Sequence, residues 1–143
     1  LLDTGAYPLK VAQICLGTNI EVIAATLNFL PHKEVDIWGG AYVKQKHGDL
    51  FGELAFGFDH FYQCNIELWG SKGKIYSNRI FTAPPGYQPI IELETKDGKQ
   101  SIVLDADDHF RNMLLYFYDL NMGKADKNLE YEQNINQARL INE

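Results

Sequence analysis

Read for the spacing of its apolar positions, the chain changes character twice. In Gly5-Ala6-Tyr7-Pro8-Leu9-Lys10-Val11-Ala12-Gln13-Ile14-Cys15-Leu16-Gly17, residues Leu9, Ala12 and Leu16 recur at helical spacing, and Gly17 supplies a C-terminal stop. Pro8 fits the first turn of that helix, where its missing N–H costs least. From Ile20 onward the pattern becomes short runs rich in β-branched and aromatic residues, bounded by Gly, Pro, Asn and Asp. It predicts seven strands, at about Glu21 to Asn28, Val35 to Gln45, Leu50 to Phe58, Tyr62 to Trp69, Lys74 to Phe81, Ile90 to Glu94 and Gln100 to Leu104. The links Lys46-His47-Gly48-Asp49, Gly70-Ser71-Lys72-Gly73 and Lys96-Asp97-Gly98-Lys99 have the length and glycine content of hairpin turns. Neighbouring strands should therefore pair antiparallel, as a meander over much of the sheet. Ala83-Pro84-Pro85-Gly86 cannot continue a ladder and predicts a loop.

The alternation in Tyr42-Val43-Lys44-Gln45-Lys46 and in Ile66-Glu67-Leu68-Trp69 predicts one sheet face packed on helices and one open face that invites a partner. Helical periodicity returns with Phe110, Met113, Leu114, Phe117 and Leu120, which form one stripe ended by Gly123. A last helix, about Asn128 to Asn142, offers Ile135, Ala138 and Ile141. The expected fold class is α/β of the α+β type: a broad, mostly antiparallel open β-sheet, with an N-terminal helix and C-terminal helices packed on one face. No repeat, low-complexity stretch or domain boundary interrupts the pattern. At 143 residues the chain fits one domain that buries roughly two-thirds of its unfolded surface.

Composition narrows the partners. Thirteen basic against nineteen acidic residues give a net charge of −6, which leaves no surplus for neutralising phosphates along a nucleic acid. No apolar run approaches the ~20 residues that span a bilayer, and no charged-then-apolar leader is present, so a membrane is not expected as a partner. Cys15 and Cys64 each sit in an apolar run and read as unpaired, buried thiols, which suits a reducing compartment and a cytoplasmic setting. The chain opens Leu1-Leu2-Asp3 without an initiator Met, so upstream residues are expected to be missing.

Among the candidates for chemistry, Asp3 and Tyr7 stand at i and i+4. On a helical turn this puts a carboxylate and a phenol on one face, about 5 to 6 Å apart at Cβ. A phenol can deliver or accept a proton at a sugar carbonyl or alcohol while a carboxylate orients the substrate. Equally, Asp3 could cap a helix and Tyr7 merely pack. His32, His47, His60 and His109 show no metal-ligand spacing and no pairing with the cysteines, so no metal is expected. His47 and His109 read as solvated. His60 lies in Phe58-Asp59-His60-Phe61-Tyr62-Gln63, either a pocket rim or a bulged hairpin. Gly70-Ser71-Lys72-Gly73-Lys74 lacks the spacing of a P-loop, and neither a G-x-G-x-x-G dinucleotide fingerprint nor a G-x-S-x-G elbow occurs.

Leu1-Leu2-Asp3-Thr4-Gly5-Ala6-Tyr7-Pro8-Leu9, followed by Leu16-Gly17, resembles the L-x-D-x-G-x-Y-P-L…L-G helix that opens the C-terminal domain of the Gfo/Idh/MocA oxidoreductases. Ile66-Glu67-Leu68-Trp69-Gly70-Ser71-Lys72-Gly73-Lys74-Ile75 resembles that family's mid-sheet hairpin. Phe81-Thr82-Ala83-Pro84-Pro85-Gly86, and Ala106-Asp107-Asp108-His109-Phe110 with Met113-Leu114, are similar to segments of its sugar and nucleotide-sugar ketoreductases.

The resemblance implies that residues 1–143 are the substrate-binding and dimerisation domain of a two-domain oxidoreductase. An N-terminal Rossmann domain holding NAD or NADP and a catalytic Lys would lie outside this chain, which alone would be inactive. It further implies that Tyr7 is the acid/base residue and Asp3 its polar companion, with Phe58, His60 and Tyr62 lining a sugar or nucleotide-sugar pocket, and that a homodimer forms through the sheet. Lys10 departs from the Asp, Asn or Gln expected three residues after the tyrosine, which bears on which sugar is taken. The rival is a non-catalytic sheet module that dimerises or binds carbohydrate.

Overall fold

The computed structural model describes residues 3–143; the opening Leu1 and Leu2 of the family-like motif lie outside the described residues. In chain order the elements are α1 (Ala6–Leu16), β1 (Ile20–Phe29), β2 (Asp36–Gln45), β3 (Phe51–Gly57), β4 (Ile66–Gly70), β5 (Gly73–Ser77), β6 (Ile90–Thr95), β7 (Gly98–Val103), α2 (His109–Asn121) and α3 (Lys127–Asn142). The α+β class and the antiparallel pairing are as expected. Hydrogen bonding, however, divides the strands into a three-stranded sheet, β1-β2-β3, and a four-stranded sheet, β4-β5-β6-β7. The run Phe58–Gln63 is therefore not a hairpin: it forms bends and irregular chain in which β3 ends without a ladder to β4. The chain correspondingly separates into two compact units, one ending at His60 and completed by Asp126–Glu143, the other Phe61–Ala125.

In the first unit α1 buries Leu9 and Ala12 against β2 and β3, and Ile20 and Val43 are fully enclosed. Leu140 of α3 closes this core, with Leu16, Val22, Ala41, Leu54 and Ile141 around it. Gly17 ends α1 at φ 89°, a conformation costly for any residue with a Cβ. β1 carries register shifts at Val22/Ala24 and at Asn28/Phe29, so its inward alternation fails midway and Ile23 points out. At the centre of β2 a Cβ on Gly39 would stand 2.5 Å from the Thr26 carbonyl oxygen and 2.8 Å from the Phe56 ring, a close approach that only glycine permits.

α3 corrects the apolar stripe predicted for it at Ile135 and Ala138 and keeps it at Ile141, which packs against the core. Ile135 is 70% exposed and Ala138 is exposed too, whereas Gln133, Asn136, Gln137 and Leu140 form its inward face. The polar members of that face meet α1 through side-chain amides. Gln13 donates to Gln137, Asn136 Nδ2 donates to Gln13 Oε1 at 2.6 Å, Gln137 Nε2 donates to the Ala6 carbonyl at 2.7 Å, and Lys10 Nζ donates to Gln133 Oε1 at 2.7 Å. Arg139 Nη2 and Asn136 Nδ2 also reach the carbonyls of Ile20 and Thr18. Hydrogen bonding of this completeness lets Gln13 be buried without the cost of an orphaned amide.

In the second unit β4 and β5 are shorter than predicted, because Tyr62–Asn65 and Asn78–Phe81 leave the ladder, their backbones paired there by the parallel bridge of Cys64 to Arg79. The turns Ser71-Lys72 and Lys96-Asp97 are the predicted tight ones, with Gly98 at φ 133°. Lys74 stands between Glu67 and Glu94 at 3.7 Å from each, and Lys99 is 3.2 Å from Glu94, exposed cross-strand pairs of small individual worth. Asp108 caps α2 by accepting from the Arg111 amide at 2.9 Å, yet α2 has no buried residue. α1 and α3 contribute buried residues to the core of the first unit, and α2 leaves its own side chains exposed. The cysteines are both unpaired, but Cys15 is exposed and Cys64 only half-buried, contrary to the buried thiols expected.

Candidate active site

The turn Asp3-Thr4-Gly5 leads directly into α1, and Gly5 occupies the cap position with no side-chain cap bond, so Asp3 does not cap the helix. Pro8 falls in the first turn, where no helical acceptor awaits its nitrogen. With Leu9, Ala12 and Gln13 turned inward, the helix carries Tyr7 and Ile14, one heptad apart, on its outer side, and Tyr7 is 51% exposed. Asp3 is exposed as well. A phenol and a carboxylate thus both lie exposed at the start of one helix. Gly5, between them in sequence, borders a groove of about 300 Å³ whose other walls include Leu9, Val22, Leu54, Phe56 and Leu140. Its walls are mainly apolar, with Asn142 and Glu143 among them.

Phe58 and His60 follow β3 on one bend. The Phe58 amide donates to the Ile37 carbonyl at 2.9 Å, and the His60 ring lies 5.9 Å from the Trp38 ring at 46°. A Cβ on Gly57 would stand 2.9 Å from Trp38 Cβ and 3.0 Å from His60 Nδ1, so the glycine lets the imidazole fold back over the tryptophan. Of the five residues singled out from sequence, Asp3, Tyr7, Phe58 and His60 belong to the first unit, and Tyr62 belongs to the second.

Tyr62 has partners that the sequence did not announce. Its hydroxyl lies 3.1 Å from Thr82 Oγ1, and the Arg79 guanidinium stands 5.5 Å from its ring centroid. Arg79, two residues past β5, carries no periodic or motif signal; only its pairing with two aromatic rings in space makes it visible. Among the described residues no cluster of three or more His, Cys, Asp or Glu could hold a metal, and no helix is long and apolar enough to cross a membrane.

These features define an α+β domain with antiparallel sheets, exposing Tyr7 on its first helix and Asp3 in the turn before it. No family model matches the chain. Over 141 residues it is 33% identical to the dTDP-3,4-didehydro-2,6-dideoxy-α-D-glucose 3-reductase of Actinomadura kijaniata, covering 99% of this chain and 42% of that enzyme. The solved structure of KijD10, a 3-ketoreductase from Actinomadura kijaniata in complex with NADP, superposes with a TM-score of 0.93 at 32% identity, over 99% of this chain and 45% of that one. A form of KijD10 with one tyrosine replaced by phenylalanine, in complex with TDP-benzene and NADP, superposes with a TM-score of 0.89 at 32% identity, over 96% of this chain and 42% of that one. The chain thus spans less than half the length of the relatives it matches, in their C-terminal region.

Proposed function

We propose that residues 1–143 are the substrate-binding, C-terminal domain of a two-domain, NADP-dependent nucleotide-sugar ketoreductase of the Gfo/Idh/MocA type. The observation that carries this reading is the end-to-end match to 3-ketoreductases solved with NADP and TDP-benzene, in a chain whose first helix exposes Tyr7. The residues present do not fit the cofactor: no glycine-rich strand-to-helix turn is available for a pyrophosphate, so NADP falls to residues outside this chain. Held by those residues, a reduced nicotinamide would supply the hydride for a sugar carbonyl carbon. Tyr7 acts as the proton donor to the carbonyl oxygen, and Asp3 orients the substrate beside it. Phe58, His60 and Tyr62 are assigned to the substrate side. The open strands and helix of the second unit, with Trp69 at 83% exposure, support a homodimer through the sheet, and the free cysteines support a cytoplasmic setting.

The test is turnover by the intact protein with NADPH and a 3-keto nucleotide-sugar. Tyr7→Phe should lower kcat by about 10²- to 10⁴-fold while leaving the NADPH dissociation constant unchanged. Full turnover in that variant would remove Tyr7 from the mechanism, and an intact protein that binds no NADP would overturn the whole reading.

A further inference from the structure

Arg79 is an unusual cation for so acidic a chain. It makes no ion pair with a described carboxylate; its Nη2 donates instead to the Thr82 carbonyl at 2.7 Å, and its Nε is buried with no acceptor. The guanidinium stands 5.5 Å from the Tyr62 ring centroid and 5.9 Å from that of Tyr87. The surrounding chain is built to keep it there. Pro84-Pro85-Gly86 makes a tight turn, closed by the Tyr87 amide on the Pro84 carbonyl at 3.1 Å with Gly86 at φ 79°, and this turn delivers Tyr87. Asn78 Oδ1 accepts from the Tyr87 hydroxyl at 3.1 Å and fixes the ring. Cys64 Sγ donates to the Phe81 carbonyl, and the Ile80 amide donates to the Cys64 carbonyl, tying the two irregular segments together.

Thr82 sits at the focus of these contacts with φ 47°, a left-handed conformation that a β-branched residue adopts only under constraint. Its carbonyl holds Arg79 and its hydroxyl meets Tyr62. Two costs are thus borne at one place, a strained threonine and a cationic N–H without an acceptor, and such costs gather where a ligand is bound. A guanidinium backed by aromatic faces, with donors left over and a tyrosine hydroxyl beside it, matches the oxygens of a phosphate ester.

We propose that Arg79, with Tyr62, Tyr87 and Thr82, forms a cradle for a phosphate group of a bound nucleotide. The identification of that nucleotide rests on the function proposed above, which offers two sources: the diphosphate of the nucleotide-sugar and the phosphates of NADP. The experiment titrates the intact wild-type protein and its Arg79→Gln and Arg79→Lys variants with TDP, thymidine and NADP by calorimetry, with a thermal melt of each as a folding control.

Arg79→Gln should weaken TDP binding roughly tenfold or more and leave thymidine unchanged, and Arg79→Lys should restore part of the loss. A selective loss for TDP assigns the cradle to the substrate, and a selective loss for NADP assigns it to the cofactor. Unchanged affinity for both ligands, or an equal loss for TDP and thymidine, overturns the proposal. A wild-type protein that binds NADP but not TDP would sink the proposed substrate instead, with the NADP titration still deciding the cradle.

Discussion

The first unit closes a core between two helices and three strands, with Ile20 and Val43 fully enclosed, whereas in Phe61–Ala125 the one buried residue is the small, polar Ser77. Both units carry apolar residues at strand and helix spacing. The difference lies in what covers them. Helices α1 and α3, distant in sequence, both belong to the unit of β1–β3, and Leu9, Ala12 and Leu140 fill its core. No side chain of β4–β7 or α2 other than Ser77 is buried, and Trp69, Phe110, Met113, Leu114 and Phe117 are left exposed. A four-stranded sheet satisfies its backbone internally but gains little from burial until one of its faces is covered. One unit thus buries a core of its own, and the other leaves its large apolar side chains exposed.

The largest expected effect tests the core half of that contrast. Leu140, 2% exposed, is the residue through which α3 enters the core, and Leu140→Ala should cost about 2–5 kcal/mol by urea unfolding, through lost burial and a residual cavity. A loss below about 1 kcal/mol would mean that the site collapses freely and that α3 is not a structural part of the unit. Next in size is the amide contact between the helices. Gln13→Leu should cost about 1–3 kcal/mol, because it takes the donor from Gln137 Oε1 and one acceptor from Asn136 Nδ2. Adding Gln137→Leu should recover part of that loss, seen as a coupling energy of about 0.5–3 kcal/mol in a double-mutant cycle. Strict additivity would show that the two amides do not act together.

How much of this was legible in the sequence follows the same division. β1, β2 and β3 were placed within one or two residues, because β-branched runs bounded by turn residues report half-buried strands directly. The two tight turns of the second sheet were equally plain. The sequence marks α3 as a helix, but of Ile135, Ala138 and Ile141 only Ile141 faces the core: apolar periodicity assumes an apolar contact, and much of this face docks by amides instead. The break between the sheets was missed because Tyr62 and Gln63 have strand propensity, yet Tyr62 turns to Thr82 and Arg79 instead of a neighbouring strand. Asp3 and Tyr7 were visible as a spacing. Arg79 was not, since a lone cation becomes informative only when two rings and a strained threonine meet around it.

The smallest expected effect bears on the surface half. Phe117 lies in the middle of the apolar stripe of α2 and is 64% exposed. In the 143-residue chain Phe117→Ser should therefore change stability by no more than about 0.5 kcal/mol, the usual range for a surface substitution. In the intact protein the same substitution should cost about 1.5–3 kcal/mol if the stripe is covered, the worth of burying a phenylalanine. The two measurements together decide what the stripe is for. A small effect in both would leave α2 an apolar helix open to water, at odds with the limit on exposed apolar patches in soluble proteins. A large effect already in the 143-residue chain would mean that α2 packs on its own unit after all, and the contrast between a self-sufficient unit and a surface-forming one would disappear.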